Sequence, residues 1–404
     1  MFRPASQLCF VAVIVTVVLL APFAALSAPE ATEVRIGRHG QTTRFVLDLS
    51  ESVDYNIFLL ADPYRMVIDL PGIVWKIKPG SRGRSTGAIE LYRYGLFRPG
   101  TSRIVLDLSR PATIGKAFLI PPRGDGEPYR LVIDLKPAER KTFLAEAARR
   151  KKTRRVAPVP AKKVAVETPS RVNKRPVIVI DAGHGGVDPG TSGVNGHSEK
   201  SITLKVALEL KRQLSKSGQY QVVLTRSRDI FVPLRRRVEI ARSADADIMI
   251  SLHTDALRKS KANSKVRGAT VYSLSERASD REAAALAAKE NKSDVIAGVD
   301  LDGESHVVAS ILIDLAQRET MNFSAELASF VLPELGKKVK LRSNSHRFAG
   351  FRVLMAPDVP SILVEMGYLS NSRDAQFLAS SAGHRTIAEA LHAAIRKYFA
   401  DHKS

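Results

Sequence analysis

Two histidines and two glutamates in this chain are of the types that carry out metal-assisted hydrolysis. His184 lies among glycines in "DAGHGG", His253 in "SLHTDA", Glu199 in "GHSEKS" and Glu365 in "ILVEMGYL". Two imidazoles and one carboxylate are a sufficient ligand set for a catalytic zinc ion that keeps a water at its fourth position. A second carboxylate, left unbound, can take a proton from that water and pass it to a leaving amine. The metal brings the water's pKa down to about 7, so the implied chemistry is hydrolysis of an amide or ester at neutral pH. Each residue also has a plainer role: a lone histidine in a glycine loop is commonly a surface residue, and a glutamate at a strand end commonly forms an ion pair. "DAGHGG" itself lacks the Lys-Ser/Thr ending of a phosphate-cradling loop.

The elements that must carry these residues give them a common placement. "PVIVID", "YQVVLTR" and "ADIMISLH" read as buried strands, and "GATVYSLS", "GFRVLM" and "PSILVEMGYL" as later ones. "SITLKVALELKRQLSKSG" between them is helical, with Val206, Leu210 and Leu214 four apart and Gly218 as a stop. "VPLRRRVEIARSA" is a second amphipathic helix, and a closing helix covers about 385–400. Strands alternating with helices imply an α/β domain with a mostly parallel sheet covered by helices, here over 176–404. Reactive groups in such sheets gather beyond the carboxyl ends of the strands, where His184, His253 and Glu365 fall and where Glu199 enters its helix. Gly183, Gly185 and Gly186 are expected to allow a tight loop and leave room for a substrate beside the imidazole.

An N-terminal stretch, 31–137, contains itself twice. "TRFVLDLS" recurs as "SRIVLDLS", and "YRMVIDLPG" as "YRLVIDLKP". Each piece is a short β-branched run bounded by turn residues, so the region reads as a small all-β domain, a two-sheet sandwich built from an internal repeat. Asp48, Asp69, Asp107 and Asp134 recur with it and are expected to face outward from strands or turns, without a catalytic role.

The chain's ends and linker carry their own signals. Residues 1–28 follow the order of a secretory signal peptide: a positive start, an apolar core from Cys9 to Leu20, and small residues toward Ala28. The apolar core is short for a full membrane span. Cys9 is the only cysteine, so the exported chain would carry no thiol for an oxidising compartment to act on. The formal charge is +21, and Lys136 to Arg175 holds fourteen Lys/Arg against three Asp/Glu. The 138–175 stretch reads as an extended, basic, Ala/Pro-rich linker. Behind an export signal its partners are anionic envelope polymers or lipid head groups, or it is a solvated tether. Its poverty in aromatics argues against nucleic acid.

"IDAGHGGVDPG", "SEK", "SLHTDA" and "SILVEMGYLSN", in this order, resemble the zinc-dependent N-acetylmuramoyl-L-alanine amidases of the amidase-3 family. The N-terminal repeat resembles the AMIN domain of periplasmic cell-wall amidases. The resemblance implies one Zn2+ ion held by His184, Glu199 and His253, with Glu365 as the catalytic glutamate. It further implies cleavage of the amide between N-acetylmuramic acid and the L-alanine of peptidoglycan, in the periplasm, by a protein working with the septal division machinery. A monomer is the expected state.

Between "VYSLS" and "GFRVLM" the chain carries an insertion at about 277–315, longer than one crossover needs. Its Ala-rich part favours helix. The resemblance extends to septal amidases in which such a helix plugs the site with a carboxylate until an activator of LytM type removes it. Glu276, Asp280, Glu282, Glu290 and Asp294 are the possible plug acids, with Glu290 favoured. Val307, Val308, Ile311 and Leu312 are candidates for the activator's grip or for core. Two other readings stay open: a zinc peptidase acting within the stem peptide, and a non-catalytic peptidoglycan-binding protein with a structural zinc. An open fourth position and the extra acid weigh against the latter.

Overall fold

A computed structural model describes residues 28–77, 85–124, 126–153, 175–194, 196–257, 260, 263–299 and 311–402. Residues 1–27 of the expected signal peptide lie outside them, as do 154–174 of the expected linker and Val307 and Val308 of the expected grip.

Among the described residues, nine strands make up the N-terminal region: β1 (Glu30–His39), β2 (Thr42–Leu49), β3 (Asn56–Leu60), β4 (Arg65–Pro71), β5 (Val74–Trp75), β6 (Ile89–Arg98), β7 (Thr101–Leu108), β8 (Ala112–Ile120) and β9 (Tyr129–Pro137). They form two sheets, ordered β5-β1-β2-β9-β8 and β3-β4-β7-β6. The repeats exchange strands: β2 of the first copy pairs with β9 of the second, and β4 of the first pairs with β7 of the second. Alternation decides the core. Phe45, Leu47, Leu131 and Ile133 of one sheet face Met66, Ile68, Ile104 and Leu106 of the other, all fully buried. Burying each such side chain contributes about 1.5–3 kcal/mol.

The repeated aspartates do lie on the opposite, outer faces, but not in open solvent. Arg35 donates to Asp48 at 2.6 Å, Arg44 to Asp134 at 2.7 Å, Arg103 to Asp69 at 2.6 Å, and Arg93 pairs with Asp107. Asp48 and Asp134 are buried, because the long arginine stems lie over them. The stretch expected as extended linker begins instead with α1 (Arg140–Thr153). Phe143 of this helix is buried against the ring of Tyr64, 4.9 Å between centroids, so the sheet pair recruits the start of the basic stretch.

In the C-terminal region, β10 (Val177–Ala182), β11 (Gln221–Leu224), β12 (Ile248–Asp255), β13 (Ala269–Leu274), β14 (Leu341–Ala349) and β15 (Ser361–Tyr368) form one sheet, ordered β11-β10-β12-β15-β13-β14. All its neighbours run parallel except β13 and β15. The connecting helices are α2 (Glu199–Lys216), α3 (Leu234–Ser243), α4 (Arg281–Glu290), α5 (Ser293–Ile296), α6 (Ile311–Gly336), α7 (Ser372–Ala379) and α8 (Ser381–Asp401). Strand periodicity sorts them into two layers. Ile178, Ile180 and Val364 pack toward α2, α6 and α8, while Val179, Met249 and Leu363 pack toward α3 and α4.

"GFRVLM", expected as a strand, is a single 3-10 turn, Arg352–Leu354. Val353 and Leu354 are buried beneath the α3–α4 layer, so the run is apolar for packing without being a strand. The edge strand on this side of the sheet is the more polar β14.

The outer face of the second N-terminal sheet meets the C-terminal region. Phe58, Leu60, Val67 and Val105 cluster with Val187, Phe231 and Ala297. Arg65, Arg93 and Arg103 donate to the carbonyls of Val295 and Ile296 at the end of α5 and of Gly298 just beyond it.

Candidate functional site

The loop after β10 is pinned before it presents His184. Arg226 donates to the carbonyls of Ala182 at 2.8 Å and Gly183 at 2.9 Å; Arg237 donates to those of Ala182 at 2.8 Å and His184 at 2.9 Å. Both guanidiniums are buried, and Arg237 also pairs with buried Asp181 at 2.7 Å. His184 itself takes φ 61°, a conformation rare for residues with a side chain. Asp188 bonds its Nδ1 at 2.8 Å and thereby turns Nε2 inward.

The expected vacancy beside the glycines does not exist. A methyl group on Gly183 would lie 2.5 Å from His253 Nε2, and one on Gly186 would lie 1.9 Å from the Leu96 carbonyl oxygen. Those positions are glycine because protein, rather than substrate, comes close.

Nε2 of His184 faces Glu199 Oε1 at 3.2 Å and Glu290 Oε2 at 3.1 Å; Nδ1 of His253 faces the same two oxygens at 3.1 and 3.3 Å. Glu199 is fixed at the start of α2 by the backbone N–H groups of Thr191 at 2.8 Å and Thr254 at 3.0 Å. All four residues are buried, with one ligand atom of each within 4.8 Å of the others. His184 Nε2 and both carboxylate oxygens of Glu290 have no hydrogen-bond partner among the described residues. They converge without bonding each other well, which is the arrangement of ligands around a common ion.

Charge agrees with that geometry. Burial works against a charged His184, but Glu199, Asp188 and Glu290 outweigh it and raise its pKa well above the ordinary value. His253 is likewise opposed by burial and raised by Glu199 and Glu290, to about 9. A site that draws protons onto two buried imidazoles is a site whose stable occupant is positive charge, which a metal cation supplies.

Glu365 stands opposite His253 in the β12–β15 register. It is fully buried, and neither carboxylate oxygen has a hydrogen-bond partner among the described residues. Burial pushes its pKa well above the usual carboxylate range; His253 opposes this, while Asp255, Glu199 and Glu290 add to it.

Of the five candidate plug acids, Glu290 is the one brought among the histidines. Asp280 caps α4 through the Ala283 N–H at 2.8 Å, Asp294 accepts the Leu234 N–H at 3.0 Å, Glu276 is exposed, and Glu282 meets Arg342 and Arg347. The helix has further ties that the sequence gave no sign of. Lys289 reaches Asp255 at 2.6 Å and Thr191 at 2.7 Å, and Ser293 donates to Asp188. A cavity of 10 Å³ remains between Glu290, His184 and His253, about the room of one water. Asp188 was not singled out in the sequence, although its place four residues beyond His184 in "HGGVD" is a signal that could have found it. Arg237 was not, since nothing separates it from the two exposed arginines before it.

The fold and site define an α/β protein with a buried cluster, able to hold a metal ion, at the carboxyl edge of its sheet. The chain matches the family model for N-acetylmuramoyl-L-alanine amidase over residues 178–397 and that for the AMIN domain over 32–116. It is 35% identical over 386 residues to N-acetylmuramoyl-L-alanine amidase AmiC of Neisseria meningitidis, covering 92% of this chain and 90% of that one. It is 38% identical over 224 residues to AmiA of Escherichia coli, covering 55% and 76%. The solved N-acetylmuramoyl-L-alanine amidase AmiC2 of Nostoc punctiforme aligns with 57% of this chain and 99% of its own, at 26% identity and a TM-score of 0.40. The chain belongs to the N-acetylmuramoyl-L-alanine amidase family.

Proposed function

We propose that this protein is a periplasmic zinc amidase that cuts the bond between N-acetylmuramic acid and L-alanine in peptidoglycan during cell division, and that α4 holds it inactive. The observation that carries the reading is Glu290, a carboxylate from the inserted helix, in the fourth place of a cluster whose other members are His184, Glu199 and His253. Ligand distances of about 2.0–2.2 Å around a tetrahedral zinc place neighbouring ligand atoms about 3.3–3.6 Å apart. The cross-distances of 3.1–3.3 Å lie at or just below the short end of that range.

His184, Glu199 and His253 would hold the ion, and Asp188 would fix the tautomer of His184. Zinc, when bound, supplies a Lewis acid and a water acidified toward neutral pH. Glu365 would take the proton from the attacking water and return it to the leaving amine of L-alanine. Its burial supports this role, because a raised pKa brings a carboxyl group toward the working pH. In the described conformation Glu290 fills the place that substrate needs, so turnover requires α4 to leave. A partner of LytM type acting on the insertion fits that requirement. The AMIN region would hold the enzyme to peptidoglycan at the septum, behind a cleaved signal peptide of residues 1–28, and the enzyme would act as a monomer. Domain limits of 31–137 and 176–404 follow from the same reading.

The test compares the exported protein with and without residues 282–294 on purified peptidoglycan with zinc, the products identified by mass spectrometry. Stem peptides beginning with L-alanine, released mainly by the shortened form, are expected. Cleavage within the stem would replace the amidase reading with a peptidase one.

A further inference from the structure

Across the sheet from the metal-ligand cluster, α4 makes a second ionic contact that plugging a metal does not require. Glu282, in its first turn, lies 2.9 Å from Arg342 Nη2 and 2.9 Å from Arg347 Nη1, and accepts a hydrogen bond from the Tyr368 hydroxyl at 3.1 Å. Asp280 lies 3.7 Å from Arg347 Nε. Arg347 is 5% exposed, and the guanidinium of Arg342 lies 5.4 Å from the Tyr368 ring centroid. Both acids facing the two arginines therefore come from the helix or its cap. When α4 leaves, a half-enclosed pair of arginines beside Tyr368 loses every carboxylate partner that the described residues give it, and an ionised Arg347 so buried calls for another.

The spacing says which carboxylate would replace Glu282. His253, Glu365, Tyr272 and Arg347 lie on one face of four adjacent strands, β12, β15, β13 and β14. Three strand spacings are about 14 Å, and the eight residues from Glu282 to Glu290 span about 12 Å of helix. An extended peptide advances about 3.3–3.6 Å per residue. A ligand whose scissile amide sits at the cluster therefore reaches the arginines with about its third or fourth residue, the side chain of the third included.

We propose that Arg342, Arg347 and Tyr368 form a specificity subsite for a carboxylate on the stem peptide, and that Glu282 occupies it in the resting protein as Glu290 occupies the metal position. The subsite rests on the amidase reading for the direction in which the peptide lies. Arginine suits it because its planar fork pairs with a carboxylate in two-point fashion.

The probes are the tripeptide L-Ala-γ-D-Glu-diaminopimelate and the same peptide with its carboxyl groups amidated. Each is titrated calorimetrically into the full-length, zinc-loaded protein carrying Glu282→Ala and Glu290→Ala, which frees both positions without removing the helix. The acidic peptide is expected to bind about tenfold to a hundredfold more tightly than the amidated one, the range of charge-assisted hydrogen bonds. Arg347→Gln on that background should abolish the preference. Arg342→Gln, whose side chain is more exposed, should reduce it without risk to the fold. Equal affinity for the two peptides, or no binding of either, overturns the subsite, as does a preference that survives both substitutions. A preserved preference in a protein that releases no stem peptide from peptidoglycan would instead sink the amidase reading and leave the subsite standing.

Discussion

Glu290→Ala tests the proposed inhibitory role of α4 at its most consequential residue. Glu290 is 4% exposed, and its carboxylate lies 3.1 Å from His184, 3.3 Å from His253 and 3.3 Å from Lys289. Removing one partner from a buried charged cluster costs about 3–5 kcal/mol. Lys289 keeps Asp255 and Thr191, so the lower end, about 3 kcal/mol, is the fitting magnitude for the closed state. With every 1.4 kcal/mol worth a factor of ten, the open-to-closed ratio rises about a hundredfold. Basal release of L-alanine-terminated peptides from purified peptidoglycan, at fixed zinc and without an activator, should rise by up to that factor. It stops rising once the open form predominates. Metal content and melting temperature are measured on the same preparation. An unchanged or lower rate, with zinc bound and the fold intact, would refute the reasoning, because α4 would then contribute to the working site.

Glu365→Gln should retain zinc by elemental analysis and lose about 10²–10⁴-fold in kcat, the usual contribution of a general acid–base; loss of the metal would make Glu365 a ligand. Asp181→Asn should destabilise the C-terminal region by about 3–5 kcal/mol, since it strands buried Arg237. Burial raises the Asp181 pKa, but Arg237, Ser251 and Thr225 together outweigh it, so the folded value is depressed. Its stabilisation is therefore complete above the unfolded carboxylate pKa of about 3.9 and lost as pH falls through the lower folded value. Denaturant midpoints of the parent and Asp181→Asn should converge in strong acid; a gap that is constant down to that range would contradict the assignment. Residues 33–136 alone should sediment with purified peptidoglycan, and a protein left in the supernatant would deprive the region of its proposed role.

Much of this protein was legible in its sequence because local chemistry fixes it. Unbroken apolar runs read as buried strands, the repeat read as two sheets, and the strand-end rule placed His184, His253 and Glu365 on one edge of the larger sheet. The run "GFRVLM" misled for a physical reason: burial requires apolar residues, whatever the backbone does. The strand exchange between repeats was also hidden, since strands so alike carry no mark of which sheet they join.

Tertiary structure alone decided the rest, because it depends on contacts between residues far apart in the chain. Arg237 looks like its exposed neighbours until Asp181 and the loop carbonyls are found beneath it. The glycines around His184 read as room for substrate until His253 and Leu96 are found filling it. The five candidate plug acids were equal in chemistry, and helical phase with packing of Ala283, Leu286 and Ala287 onto the sheet turned Glu290 toward the histidines and Glu282 toward two arginines. Sequence determines which groups are present and the period on which they repeat. Only the fold determines which of them share a buried volume, where low dielectric makes each pairing count.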